Sequence, residues 1–116
     1  MHIDIQASNT RFSREHSLEI AQRLRAAFAM LAHNIVRIVV RVSEVARSGS
    51  STRECVVEVH FPNGEIATVN ERQRKLGALV RRATERSRKA VAALISHQRV
   101  PLKPAPLPSM GKGLAT

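Results

Sequence analysis

The 116 residues include no tryptophan, no tyrosine and only three phenylalanines. A surface that reads unpaired bases by stacking them on aromatic rings is therefore disfavoured. The core must be aliphatic, built from Val, Ile, Leu and Ala around Phe12, Phe28 and Phe61. The single cysteine, Cys55, cannot form an intramolecular disulfide and is expected on the inward side of a strand as a small buried thiol. No apolar run approaches the roughly 18 residues of a membrane-spanning helix. Met1 leads directly into a strand rather than a signal peptide, so a cytoplasmic protein is expected. Glycine-rich phosphate loops and a nucleophile elbow are also missing. The histidines, His2, His16, His33, His60 and His97, form no i, i+4 pair and no Cys/His cluster. Catalysis, a metal site, a cofactor and a small-molecule substrate are not expected.

Acidic residues are few, and their distribution is uneven. The formal net charge is +10. Residues 1–71 carry eight Lys/Arg against eight Asp/Glu, residues 72–96 carry eight against one, and residues 97–116 add Arg99, Lys103 and Lys112 without an acid. The entire surplus therefore lies beyond residue 71, and a field so concentrated attracts a polyanion.

Hydrophobic periodicity divides the chain into six elements. "HIDIQA" alternates, with Ile3, Ile5 and Ala7 opposite His2, Asp4 and Gln6, which predicts a strand. Ser13 is the expected N-cap of a helix from Arg14 to about Ala32, and Phe12 the staple onto its first turn. Leu18, Ala21, Leu24, Phe28 and Leu31 form its expected apolar stripe, and Asn34 its left-handed C-terminal residue. "IVRIVVRVSEV" predicts a second strand, with Val36, Ile38, Val40 and Val42 on one face. "ARSGSST" reads as a flexible loop. "RECVVEVHF" is a third strand burying Cys55, Val57, Val59 and Phe61. "PNG" predicts a hairpin into a fourth strand, "EIATVNE". A second helix is expected over the basic stretch from Arg72 and through "AVAALIS". The expected fold class is α+β: a two-layer β-α-β-β-β-α sandwich, in which a four-stranded mixed sheet carries both helices on one face. The domain should span 1–96, and the proline-rich basic tail 97–116 should be extended or disordered.

The second helix carries the functional signal. Leu76, Leu79, Val80, Ala83, Ser87, Ala90, Val91 and Leu94 fall in one sector, and Arg74, Arg81, Arg82, Arg88 and Lys89 in the opposite one with Glu85. Lys75 and Arg86 lie on the flank. A solvated face normally mixes charge signs, whereas like charges at i, i+3 and i+4 destabilise a helix by a few tenths of a kcal/mol per pair. Such a stripe is an electrostatic footprint for a polyanion. A membrane-surface helix would expose large apolar residues beside its cations, but here the narrow apolar stripe is needed by the sheet, so no membrane partner is expected. Six of the eight cations between Arg72 and Lys89 are arginine, which suits bidentate phosphate contact. Backbone and shape recognition of folded RNA is the indicated function.

The strand "HIDIQASN", the helix from Ser13 to Leu31, "VRIVVRVSEV", "ECVVEVHF" before a hairpin, and "LGALVRRATERSRKAV" together resemble the hibernation promoting factor and ribosome-associated inhibitor (protein Y) family, also called sigma-54 modulation proteins. The resemblance spans residues 2–96 and implies a short form, without the second domain of longer members. It implies a non-enzymatic factor that binds the small ribosomal subunit through rRNA in the mRNA/tRNA decoding region and stops translation in stressed or stationary bacteria. The matching RNA-contacting positions are Arg81, Arg82, Arg86, Arg88 and Lys89, with Arg23 and Arg25 on the first helix. Charge reversal of Arg82, Arg86 and Lys89 is expected to abolish binding and leave the fold intact. The alternatives are a protein-interaction module that modulates a sigma factor and a general RNA-binding protein.

Overall fold

The computed structural model describes residues 1–8, 13–47 and 49–101. Within them run β1 (His2–Ser8), α1 (Arg14–Ala27), a 3-10 segment (Ala29–Asn34), β2 (Arg37–Arg47), β3 (Ser50–His60), β4 (Ile66–Gln73) and α2 (Leu76–Ser96). The strands lie side by side in chain order, β1 parallel to β2 and the remaining neighbours antiparallel. One face of this mixed sheet carries the alternating apolar positions. Across it, Ile38, Val59 and Ala67 are aligned, as are Val40, Val57 and Val69. Ile20, Leu24 and Phe28 of α1 and Leu79, Val80, Ala83 and Val91 of α2 bury against that face. Each of these larger side chains contributes about 1.5–3 kcal/mol by leaving water. The α+β sandwich has the expected order of elements.

Ser13 does cap α1: its Oγ accepts from the His16 backbone N–H at 3.1 Å, and His16 Nδ1 reaches back to the Ser13 N–H at 3.4 Å. The Phe12 staple lies outside the described residues. The buried axis of α1 is Ile20, Leu24 and Phe28, not the stripe beginning at Leu18, which is 55% exposed. The i, i+4, i+8 spacing aligns the bulky side chains along one line, and Leu18 falls about 120° away from it. The helix also gives way to a 3-10 turn after Phe28, at φ −109° and ψ 16°. Asn34 is buried and Ile35 is extended, and Gln98 is the only non-glycine with positive φ among the described residues. Asn34 therefore does not serve as a left-handed cap.

Two other boundaries differ from expectation. "ARSGSST" is mostly strand, because β2 and β3 keep pairing as far as Arg47 and Ser50, and Gly49 takes the positive φ (+80°) that so tight a hairpin turn requires. Arg72 and Gln73 belong to β4 rather than α2, paired with Glu54 and Arg53. In the "PNG" hairpin Gly64 supplies the positive φ (+91°) and its N–H donates to the Phe61 carbonyl at 3.0 Å. Pro at the second and Gly at the fourth position suit such a turn.

The chain remains packed beyond α2. The Arg99 N–H donates to the Leu94 carbonyl and the Gln98 N–H to the Ile95 carbonyl, at 2.9 and 3.0 Å. With Gln98 at φ 58°, these bonds form a Schellman motif. Val100 is then 2% exposed within the core, and Asn63 Nδ2 donates to the Arg99 carbonyl at 2.7 Å. Residues 102–116, most of the expected tail, lie outside the described residues.

Candidate nucleic-acid interface

The helices run in the same direction over the sheet, α2 chiefly over β3 and β4 and α1 towards β1. His16 and Gly77 meet at one end of the cleft between them, and Met30 and Ala92 line its other end. In the middle, Arg23, Arg81 and Arg88 line one groove of about 410 Å3, together with Ala26, Ala27, Thr84 and Glu85. Small side chains at Ala26 and Ala27 leave room for three guanidiniums around one cleft. At the Met30 end it opens into a second hollow of about 430 Å3, which Arg88 and Lys89 also line.

The basic residues of α2 form two rows rather than one. Arg81 and Arg88 face the groove. Arg82 and Arg86 lie on the opposite flank, over β4, where Arg82 acts electrostatically on Glu71. Lys89 lies on that side of the helix and reaches the groove's rim, and it approaches Glu85 at 3.7 Å in a pair exposed on both sides. Such surface pairs contribute little and leave the cation available to an anion.

Arg86 is differently engaged. Its Nη1 donates to the Glu71 carboxylate and to the Asn70 carbonyl, both at 2.7 Å. Register explains the first bond, since Glu71 stands opposite Cys55 on the helix-facing side of the sheet. The bond to Arg86 holds the Glu71 carboxyl below the ordinary glutamate range, against the opposing effect of burial. Arg86 thus fastens α2 to the outermost strand. Charge reversal there would set two carboxylates against each other, so the expectation that it would leave the fold intact does not hold. Cys55 is pushed up to about 12, by burial first and by Glu71 second, and stays a thiol.

Arg74 and Lys75 precede α2, with Lys75 as its N-cap residue. No acid occupies the first turn, so two cations stand where the helix dipole is already positive. Both contribute to the field at the groove's His16–Gly77 end. Arg23 joins the groove, although it also approaches Glu19 at 3.6 Å on the exposed surface. Arg25 does not join it, lying about 200° around the helix from Arg23 on the flank away from α2. Arg72 stands on the far face of the sheet, paired with Glu54 at 2.8 Å. No described helix is long and apolar enough to cross a membrane, and no group of three His, Cys, Asp or Glu among the described residues could hold a metal ion.

Neither a family sequence model nor a curated protein matches the chain. Solved structures do. A ribosomal subunit interface protein from Coxiella burnetii aligns with a TM-score of 0.70 at 11% identity, over 83% of this chain and 99% of that one. The protein Y N-terminal domain of Thermus thermophilus aligns with a TM-score of 0.61 at 17% identity, over 81% and 99%. The fold is the protein Y fold. The resemblance read from the sequence holds at the level of architecture, and in this chain that architecture sets Arg23 of α1 beside Arg81 and Arg88 of α2.

Proposed function

We propose that the chain is a non-enzymatic ribosome-binding factor that seats the α1–α2 groove on rRNA of the small subunit, in the mRNA/tRNA decoding region, and so holds translation. The observation that carries this reading is the convergence of Arg23, Arg81 and Arg88 from two helices on one groove. That it occurs in a fold shared with a ribosomal subunit interface protein supports the ribosome as the source of the RNA. Guanidinium groups bind phosphate oxygens in pairs of parallel hydrogen bonds and tolerate any base sequence. Arg82, Lys89, Arg74 and Lys75 add long-range attraction, while Arg86 holds the helix that presents them.

Co-sedimentation with ribosomes over a salt series tests the reading. Neutralising about five phosphates gives a log-log slope of magnitude about 3.5 to 4.5. Arg81→Glu with Arg88→Glu should reduce binding at least about a hundredfold, as expected when each lost contact costs about 1.5–3 kcal/mol. Arg37→Glu, a charge change of the same sign on the exposed open face of the sheet, should have little effect. Binding that ignores salt, or equal losses on both faces, would refute the assignment. Retention of partners after complete nuclease digestion would favour a protein-binding regulator instead.

A further inference from the structure

The outer edge of β1 is unpaired among the described residues. The His2 N–H donates to the Val36 carbonyl at 3.2 Å, so by strand alternation Asp4, Gln6 and Ser8 also bond towards β2. Ile3, Ile5 and Ala7 then direct their N–H and C=O groups outward. This edge lacks the usual protections: "HIDIQAS" contains no proline and no lysine, and Asp4 is its only Asp, Glu, Lys or Arg. The opposite edge differs, since the Asn70 carbonyl of β4 is bonded by Arg86 and charged residues flank it. On the flank of α1 that faces away from α2, and so towards the β1 side of the sheet, Leu18 is 55% exposed.

We propose that the chain self-associates through this edge, β1 pairing antiparallel with β1 of a second copy about a two-fold axis at Ile5. In that register Ile5 faces Ile5 and Ile3 faces Ala7, and roughly six backbone hydrogen bonds satisfy every outward group of both strands. Asp4 then lies opposite Gln6, whose amide already donates to Asp4 within the strand at 3.2 Å. Centring the axis on Asp4 would set two like charges against each other, which disfavours that register. Charge favours this edge over the other. Most of the surplus of the described chain resides on α2 and the residues just before it, over β3 and β4, so β1 pairing puts the two basic helices at opposite ends of an eight-stranded sheet. The Leu18 side chains approach each other across the axis.

The test uses the full chain freed of RNA by nuclease and high salt, followed by analytical ultracentrifugation over concentration. A dimer is expected, and added salt should tighten it by screening the repulsion between basic copies. Association bridged by nucleic acid would instead weaken with salt. Ile5→Pro removes an outward N–H without touching a bond to β2, and Leu18→Lys changes an exposed position. Each should weaken association at least about tenfold, a change of about 1.4 kcal/mol. The Asp4→Cys, Gln6→Cys double variant should oxidise to a covalent dimer, because these positions face each other in a non-hydrogen-bonded pair. Asp4→Cys alone should not. A monomer at millimolar concentration, a dimer indifferent to both Ile5→Pro and Leu18→Lys, or a double-cysteine variant that resists cross-linking would overturn the proposal.

Discussion

Arg86 shows how one side chain can look like a ligand contact and act as a brace. Glu71 ionises more readily in the folded chain than in the unfolded one. Its contribution to stability is therefore full above the ordinary glutamate value of 4.5 and is lost as pH falls below it. Glu71→Gln and Arg86→Ala should each cost about 1–2 kcal/mol at neutral pH, and Glu71→Gln should flatten the acid limb of a stability-versus-pH curve. Urea unfolding at several pH values measures both effects. The α1 register gives a second test at this scale. Ile20→Ala should cost about 2–5 kcal/mol, whereas Leu18→Ala should stay within about 0.5 kcal/mol when the protein is held monomeric. Alternation alone placed Cys55, Val57, Val59 and Phe61 correctly, because a strand has two faces and one was plainly apolar. Arg86 was harder, since its partner Glu71 lies fifteen residues away and meets it only once β4 pairs with β3.

At the scale of elements, α2 was legible in its apolar sector: Leu79, Val80, Ala83, Ser87 and Val91 are all buried. The buried hydroxyl among them, Ser87 Oγ, donates to the Ala83 carbonyl at 2.6 Å and so needs no partner from the sheet. The polar sector was less legible. A helical wheel cannot say which side of a polar arc will face a neighbouring helix, so the split between Arg81 with Arg88 and Arg82 with Arg86 emerges only from packing. The same holds for Arg23 and Arg25, two residues apart and on opposite flanks of α1. Two element boundaries failed for a related reason. Strand pairing, once nucleated by the valine-rich centres of β2 and β3, runs on through residues with little strand preference of their own, such as Ser51 and Arg72.

Considered as a whole molecule, the domain is closed by residues beyond its last helix. Val100 and the Asn63 bond to Arg99 tie the end of α2 to the β3–β4 hairpin. A chain ending at Arg99 should therefore be about 2 kcal/mol less stable than one ending at Pro101, the value of one buried valine, as thermal unfolding of the two truncations would show. The uneven charge has a further consequence, for kinetics. With the described residues up to 71 close to electrical balance and five cations against one acid on α2, the described domain carries its charge unevenly, with α2 as its positive side. A polyanion exerts a torque on it before any contact, turning α2 forward during diffusion. Collisions are thereby oriented, and lowering the ionic strength should quicken capture as well as tighten it.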